Sequence, residues 1–230
     1  MYPTRAFQLA AVTAMAICVL ALTAQGATAA GGPAIPGGSF GGTGVTGPGP
    51  QPGSQFRYLA MSGRHETTIA RIDTDGGRVD RWTTHEGTWA LPAVTILGDA
   101  GGLSANGETL VLVHPQYRPA AERTRFLVLF SKSLRDRDRL VLDGRFSFDA
   151  ISPDGTLLYL VEYADPRDPL DYRVRAYDLT TDEFRPGAVI DPDEPDEQMT
   201  GQPVSRRYSP DGRWAYTLYG GGEETFIHAL

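Results

Sequence analysis

Apolar residues in this chain come in short runs that ignore the alternation of a half-exposed strand. Leu110, Val111, Leu112 and Val113 form one run, and Leu158, Tyr159, Leu160 and Val161 another. A sheet solvated on one side would leave half of each run in water, so these segments are expected to be strands covered on both faces. A run of this length also fits a buried helix segment; the turn signal just before it and its β-branched and aromatic content favour the strand. Further apolar segments follow at 69–73, 126–129 and 174–178, and again around 79–82, 140–142 and 188–190, with turn-like residues at 74–77 and 180–182. The pattern predicts a four-stranded unit, repeated.

Three stretches align around the turn: LSANGETLVLV at 103–113, ISPDGTLLYLV at 151–161 and YSPDGRWAYTL at 208–218. Pro153 and Pro210 preset φ for the second turn position, and Asn106, Asp154 and Asp211 can accept hydrogen bonds from their own backbone. Gly107, Gly155 and Gly212 can take the positive φ that closes a hairpin with a bulge. Read alone, Ser152 and Asp154 are a hydroxyl and an acid two positions apart, the makings of a site. Asn106 keeps the turn chemistry and discards the charge, so a chain corner accounts for all three copies, headed by Ser104, Ser152 and Ser209.

A Ser-Pro-Asp-Gly turn between paired strands, followed by a strand ending Tyr177-Asp178-Leu179, resembles the blades of TolB-like, WD40-like and YVTN-type β-propellers over residues 56–230. The resemblance implies an all-β fold of four-stranded antiparallel blades. It says little about function, because such propellers serve as scaffolds, sensors, lactonases and hydrolase-associated gates. Residues 56–82 supply only the last three strands of a blade, two fuller blades start near Leu97 and Arg145, and a fourth begins near Val204. Three to four blades are therefore expected, as a truncated propeller. An open array closed by association and a poorly stable chain with exposed edges are the alternatives.

The first 55 residues add an address and a spacer. Arg5, the apolar run at 9–22 and Ala27-Thr28-Ala29 read as a signal peptide over residues 1–30, and hence as export to the cell envelope or beyond. An uncleaved anchor is the competing reading, although the run is shorter than the roughly 18–20 residues a spanning helix needs. Cys18 follows Ile17, where a lipoprotein signal would want a small residue, so the exported chain is expected to carry no cysteine. Residues 31–55 are mostly Gly, Pro and small polar residues and are expected to be a disordered linker. A phosphate-binding loop would need a strand before it and a helix after it.

Composition and charge narrow the partners. The 230 residues are 41% hydrophobic, enough for a real core, and the formal charge of −7 with dispersed basic residues disfavours nucleic acid and anionic membrane surfaces. His65-Glu66 and His85-Glu86 start like a zinc-protease helix, but Ile69 and Trp89 stand where the second histidine belongs. His65, His85, His114 and His228 show no ligand spacing, and a metal site assembled across blades stays open. Around Ser104, Asn106 occupies the place where a nucleophile elbow needs glycine. The carboxylates at 191–197 and those of Asp73 and Asp75 read as a solvated loop and a strand-to-strand turn rather than calcium sites. A sialidase-type Asp box also fails, since Gly155 directly follows Asp154.

No catalytic, cofactor-binding or metal-ligating residue is assigned, and no cofactor is expected. The leading expectation is an exported, non-catalytic propeller module that binds a protein or cell-envelope ligand through its faces and loops. A lactonase-like propeller enzyme and the propeller part of a larger hydrolase are the alternatives.

Overall fold

The computed structural model describes residues 41–42, 56–116, 122–165, 168, 170–193, 199–221 and 225–230. The expected leader and all of the expected linker but Gly41 and Gly42 lie outside the described residues. β1 (Gly41–Gly42) opens the described chain. β2 (Phe56–Ser62), β3 (Glu66–Asp73) and β4 (Val79–Glu86) form the first blade. β5 (Leu91–Pro92) pairs with β1, which gives the Gly/Pro-rich segment one short strand. β6 (Thr109–Val113), β7 (Arg123–Phe130) and β8 (Arg135–Asp143) make the second blade. β9 (Phe146–Ile151), β10 (Leu157–Tyr163), β11 (Tyr172–Asp178) and β12 (Glu183–Phe184) make the third. β13 (Gln202–Tyr208), β14 (Ala215–Gly220) and β15 (Phe226–Ala229) make the fourth. Within the blades every pairing is antiparallel, and no described residue is helical.

The four-stranded unit is complete only in the third blade. In the second, the inner strand is reduced to isolated bridges, Ala90 with Val113 at one end of β6 and, toward the other, a bridge between Leu103 and Leu110. Gly102 precedes it at a φ of 102°, with the Val111 carbonyl 2.4 Å from where a Cβ would stand, so the backbones meet too closely for a ladder of ordinary residues. The outer strand of the third blade lies at Glu183–Phe184, not around 188–190 as the apolar pattern suggested. The later segment still runs beside β11, with Arg185 N–H donating to the Ala176 carbonyl and Val189 N–H to that of Val174. Gly187, at a φ of 78°, interrupts the regular pairing between them.

The repeated turns have one hydrogen-bond plan. Gly155 N–H donates to the Ser152 carbonyl, and Ser152 N–H donates to that of Leu157, both at 2.9 Å. The Ser152 hydroxyl accepts from Leu157 N–H at 2.9 Å and donates to Asp154 Oδ1 at 2.6 Å. Ser104 with Asn106, and Ser209 with Asp211, repeat these bonds. Gly107, Gly155 and Gly212 take φ values of 68°, 74° and 68°. A second recurring corner follows β3, β7 and β11, where Gly77, Leu134 and Asp182 donate to the carbonyl four residues back, each in the left-handed region.

Turn geometry sets register, and register decides which residues face which neighbour. Tyr58, Ala60 and Ile69 of the first blade pack on Leu110, Leu112, Leu127 and Leu129 of the second. Val111, Val113 and Phe126, on the opposite face of the second blade, pack on Phe148, Leu158 and Leu160 of the third. The doubly apolar runs are thus buried on both sides, and each fully buried leucine contributes roughly 1.5–3 kcal/mol.

Gly155→Val is expected to cost about 2–4 kcal/mol in urea unfolding, because a Cβ there would stand 2.4 Å from Thr109 Oγ1 in a left-handed backbone. Asp154→Asn is expected to stay within about 0.5 kcal/mol at neutral pH. The Ser152 hydroxyl holds the Asp154 carboxyl below its usual value. Its charge therefore stabilises above the unfolded value near 3.9 and ceases to do so as pH falls through the lower folded value. Wild type and Asp154→Asn should converge in acid; comparable losses for the two variants at pH 7 would contradict the turn plan.

Candidate functional site

The turn of the third blade hooks into the second. Asn106 N–H donates to the Pro153 carbonyl at 2.9 Å, and Asn106 Nδ2 to that of Asp154 at 3.0 Å. Thr109 Oγ1 reaches the Gly155 carbonyl at 3.3 Å, and Arg137 Nη1 donates to both Thr109 Oγ1 and the Gly155 carbonyl, at 2.8 and 3.0 Å.

The same places at the next seam carry different residues. Leu157 stands where the second blade has Thr109, and it has no hydroxyl to offer the fourth blade's turn. Arg185 stands where the second blade has Arg137, and its Nη2 lies 3.2 Å from Asp178 Oδ2 in its own blade. In place of a hook, this seam holds a cavity of about 200 Å³, bordered by Ser152, Pro153 and Tyr159 on one side and by Tyr208, Arg213 and Trp214 on the other. Tyr208, Arg213 and Trp214 are exposed. A cleft with aromatic walls and a guanidinium at its rim suits an extended chain carrying apolar and acidic groups.

Nearer the inner strands, the third and fourth blades are joined by a buried ion pair. The register between β9 and β10 slips at Asp149, leaving it the extra residue of a bulge. Arg206 on β13 donates through Nη2 to Asp149 Oδ1 and through Nη1 to the Asp149 carbonyl. Its Nε donates to Thr217 Oγ1 at 2.9 Å, while its backbone N–H donates to Asp99 Oδ2 at 3.1 Å. Burial works against the Arg206 charge, but Asp149, together with Tyr208 and Tyr219, outweighs it, and the guanidinium is held above its usual pKa. Around the pair, Asp149 Oδ2, Tyr219 Oη and His228 Nδ1 are buried with no protein partner among the described residues. This seam buries an ion pair beside Val161 and Val174, where the buried layers of the other two are apolar.

Of the residues weighed in the sequence, Ser152 borders the cleft and His228 lies beside the ion pair, while the others fall elsewhere. Ser152 and Asp154 form the corner described above, as do Ser104 and Ser209 in their own blades. His85 Nδ1 lies 2.7 Å from Asp136 Oδ1, across the seam between the first two blades. His114 stands edge-on to Trp89 at 5.9 Å, and His228 edge-on to Tyr219 at 6.2 Å. No three His, Cys, Asp or Glu side chains among the described residues group around a point that could hold a metal ion. Asp73 and Asp75 make the turn expected of them, with Asp75 N–H donating to Asp73 Oδ1 at 2.9 Å. Residues 194–197 of the acidic stretch lie outside the described residues. Sequence reasoning passed over Asp149 and Arg206. A usable signal was present, since both stand three residues before a repeat serine.

Arg206→Ala should cost about 3–5 kcal/mol in urea unfolding, by leaving Asp149 buried and unpaired. The double replacement Asp149→Leu/Arg206→Met should recover much of that loss, and a double variant as unstable as Arg206→Ala would show that the charges themselves are required. Burial holds the His228 imidazole below its usual pKa. The neutral ring therefore stabilises above the unfolded value of about 6.5, and that contribution drains away as pH falls below it. His228→Gln should flatten stability against pH in that window, measured by thermal unfolding from pH 7.5 to 5.

No family model matches the chain, and no curated protein matches its sequence. Among solved structures it is similar to β-propeller proteins. Hydrazine synthase of Kuenenia stuttgartiensis is 17% identical with a TM-score of 0.47, over 77% of this chain and 50% of that one. TolB of Acinetobacter baumannii is 15% identical with a TM-score of 0.44, over 78% and 39%. The propeller domain of the Trilobed protease of Pyrococcus furiosus, described as having an open velcro topology, is 12% identical with a TM-score of 0.42, over 77% and 49%. The chain spans half or less of each of these three. The chain's own strand pairing makes it all-β, built of successive antiparallel sheets of three and four strands.

Proposed function

We propose that this chain is an exported, non-catalytic β-propeller module, of the type with Ser-Pro-Asp-Gly turns, that holds a protein ligand at the seam between its third and fourth blades. The observation that carries this reading is the cleft itself. It lies where the turn-to-turn hook of the preceding seam is missing, and it presents Tyr208, Trp214 and Arg213 to solvent. Aromatic residues and arginine are the side chains that most often anchor protein interfaces. The strands behind them supply the rigid scaffold on which binding loops work. The leader pattern at residues 1–30 supports an extracytoplasmic place of action.

A photo-crosslinking amino acid at position 214, in protein expressed and exported by its native host, should capture a discrete protein. The same probe at the exposed Val141 on β8 should not capture it. Combining the position 214 probe with Tyr208→Ala and Arg213→Ala should reduce capture at least tenfold. Equal capture from both positions, or none from 214, would overturn the reading.

A further inference from the structure

One set of three positions recurs in every blade, on the face turned toward the next. In the first blade it is Tyr58, Ala60 and Ile69, in the second Val111, Val113 and Phe126, in the third Tyr159, Val161 and Val174, and in the fourth Tyr216, Leu218 and Ile227. Strand register defines the set, because Ala60 pairs with Ile69, Val113 with Phe126, Val161 with Val174 and Leu218 with Ile227. The first two sets are buried to 3% exposure or less, and so are Val161 and Val174. Tyr216, Leu218 and Ile227 are 40%, 37% and 66% exposed. The fourth blade thus carries an apolar forward face of the kind the others cover.

The rear of the first blade shows the complementary half. Met61, Val79 and Trp82 are 48%, 52% and 65% exposed there, beside half-buried Leu59 and Ile72. Trp82 pairs with Ala70 and Val79 with Ile72, so these residues share one face. In the second blade the corresponding rear face is Leu110, Leu112 and Leu127, fully buried on its predecessor.

We propose that a second copy of this chain seats the rear face of its first blade on the forward face of the fourth, in a reciprocal two-chain contact. The proposed contact continues the packing that already joins the blades within one chain. Used twice about a two-fold axis, it leaves neither face bare. It is independent of the ligand proposed for the third seam.

Light scattering of the purified exported chain should give twice the chain's mass, and Leu218→Asp/Ile227→Asp should halve it while keeping the strand signal in circular dichroism. In a Cys18→Ser background, Trp82→Cys mixed with Leu218→Cys should form a disulfide between chains under mild oxidation, and neither variant alone should do so. A single-chain mass, or Leu218→Cys linking to itself as readily as to Trp82→Cys, would overturn the proposal. Trp214 shares the forward-facing alternation of Tyr216 and Leu218, so capture from position 214 counts for the ligand only when the captured protein is not this chain, and the two proposals can then fail separately.

Discussion

The serine hydroxyl at the head of each repeated corner is the constraint on which the rest of the fold depends. It accepts the backbone N–H that starts the second strand of the blade and donates to the Asp or Asn two residues on, so the hairpin opens at one register. A slip of one residue would turn every apolar side chain of that strand to the other neighbour. Because these strands are buried on both faces, such a slip exchanges one packed layer for another of different shape. The corner therefore decides which leucines and valines meet across the seams.

The seams are alike in geometry and different in chemistry. The first two bury aliphatic and aromatic layers, and the second adds the polar hook of Asn106, Thr109 and Arg137 at its rim. The third is organised around Asp149 and Arg206, whose charges are fully withdrawn from water and held by Thr217 and a bulge carbonyl. An apolar seam tightens wherever surface can be removed from water. A polar one closes only where donors and acceptors meet in number. That difference accounts for a cleft at the third seam, where Leu157 offers no hydroxyl and Arg185 is engaged within its own blade.

Much of the fold was legible from local pattern, because turn chemistry and doubly apolar runs are written in neighbouring residues. Gly155 and Asn106 were enough to mark the corner. The second blade's reduced inner strand was not legible, since it depends on how closely the backbone at Gly102 approaches Val111. Nor was the outer strand of the third blade, where Glu183 and Phe184 pair with Asp178 and Tyr177 although 188–190 looks more strand-like. Asp149 and Arg206 lie 57 positions apart. Only the stacking of one blade on the next makes them partners.

The sequence by itself determined the repeat, its corners, most of its strands and the two covered faces of the apolar runs at 110–113 and 158–161. Each of these rests on interactions within a few residues or on a period that needs no partner to be seen. Tertiary structure alone decided which seam would be greasy and which charged, where a hook would fail and leave a cleft, and which apolar faces would stay bare. Those outcomes depend on pairs of residues that share a repeat position in different blades, and such pairs acquire a meaning only when the blades are stacked.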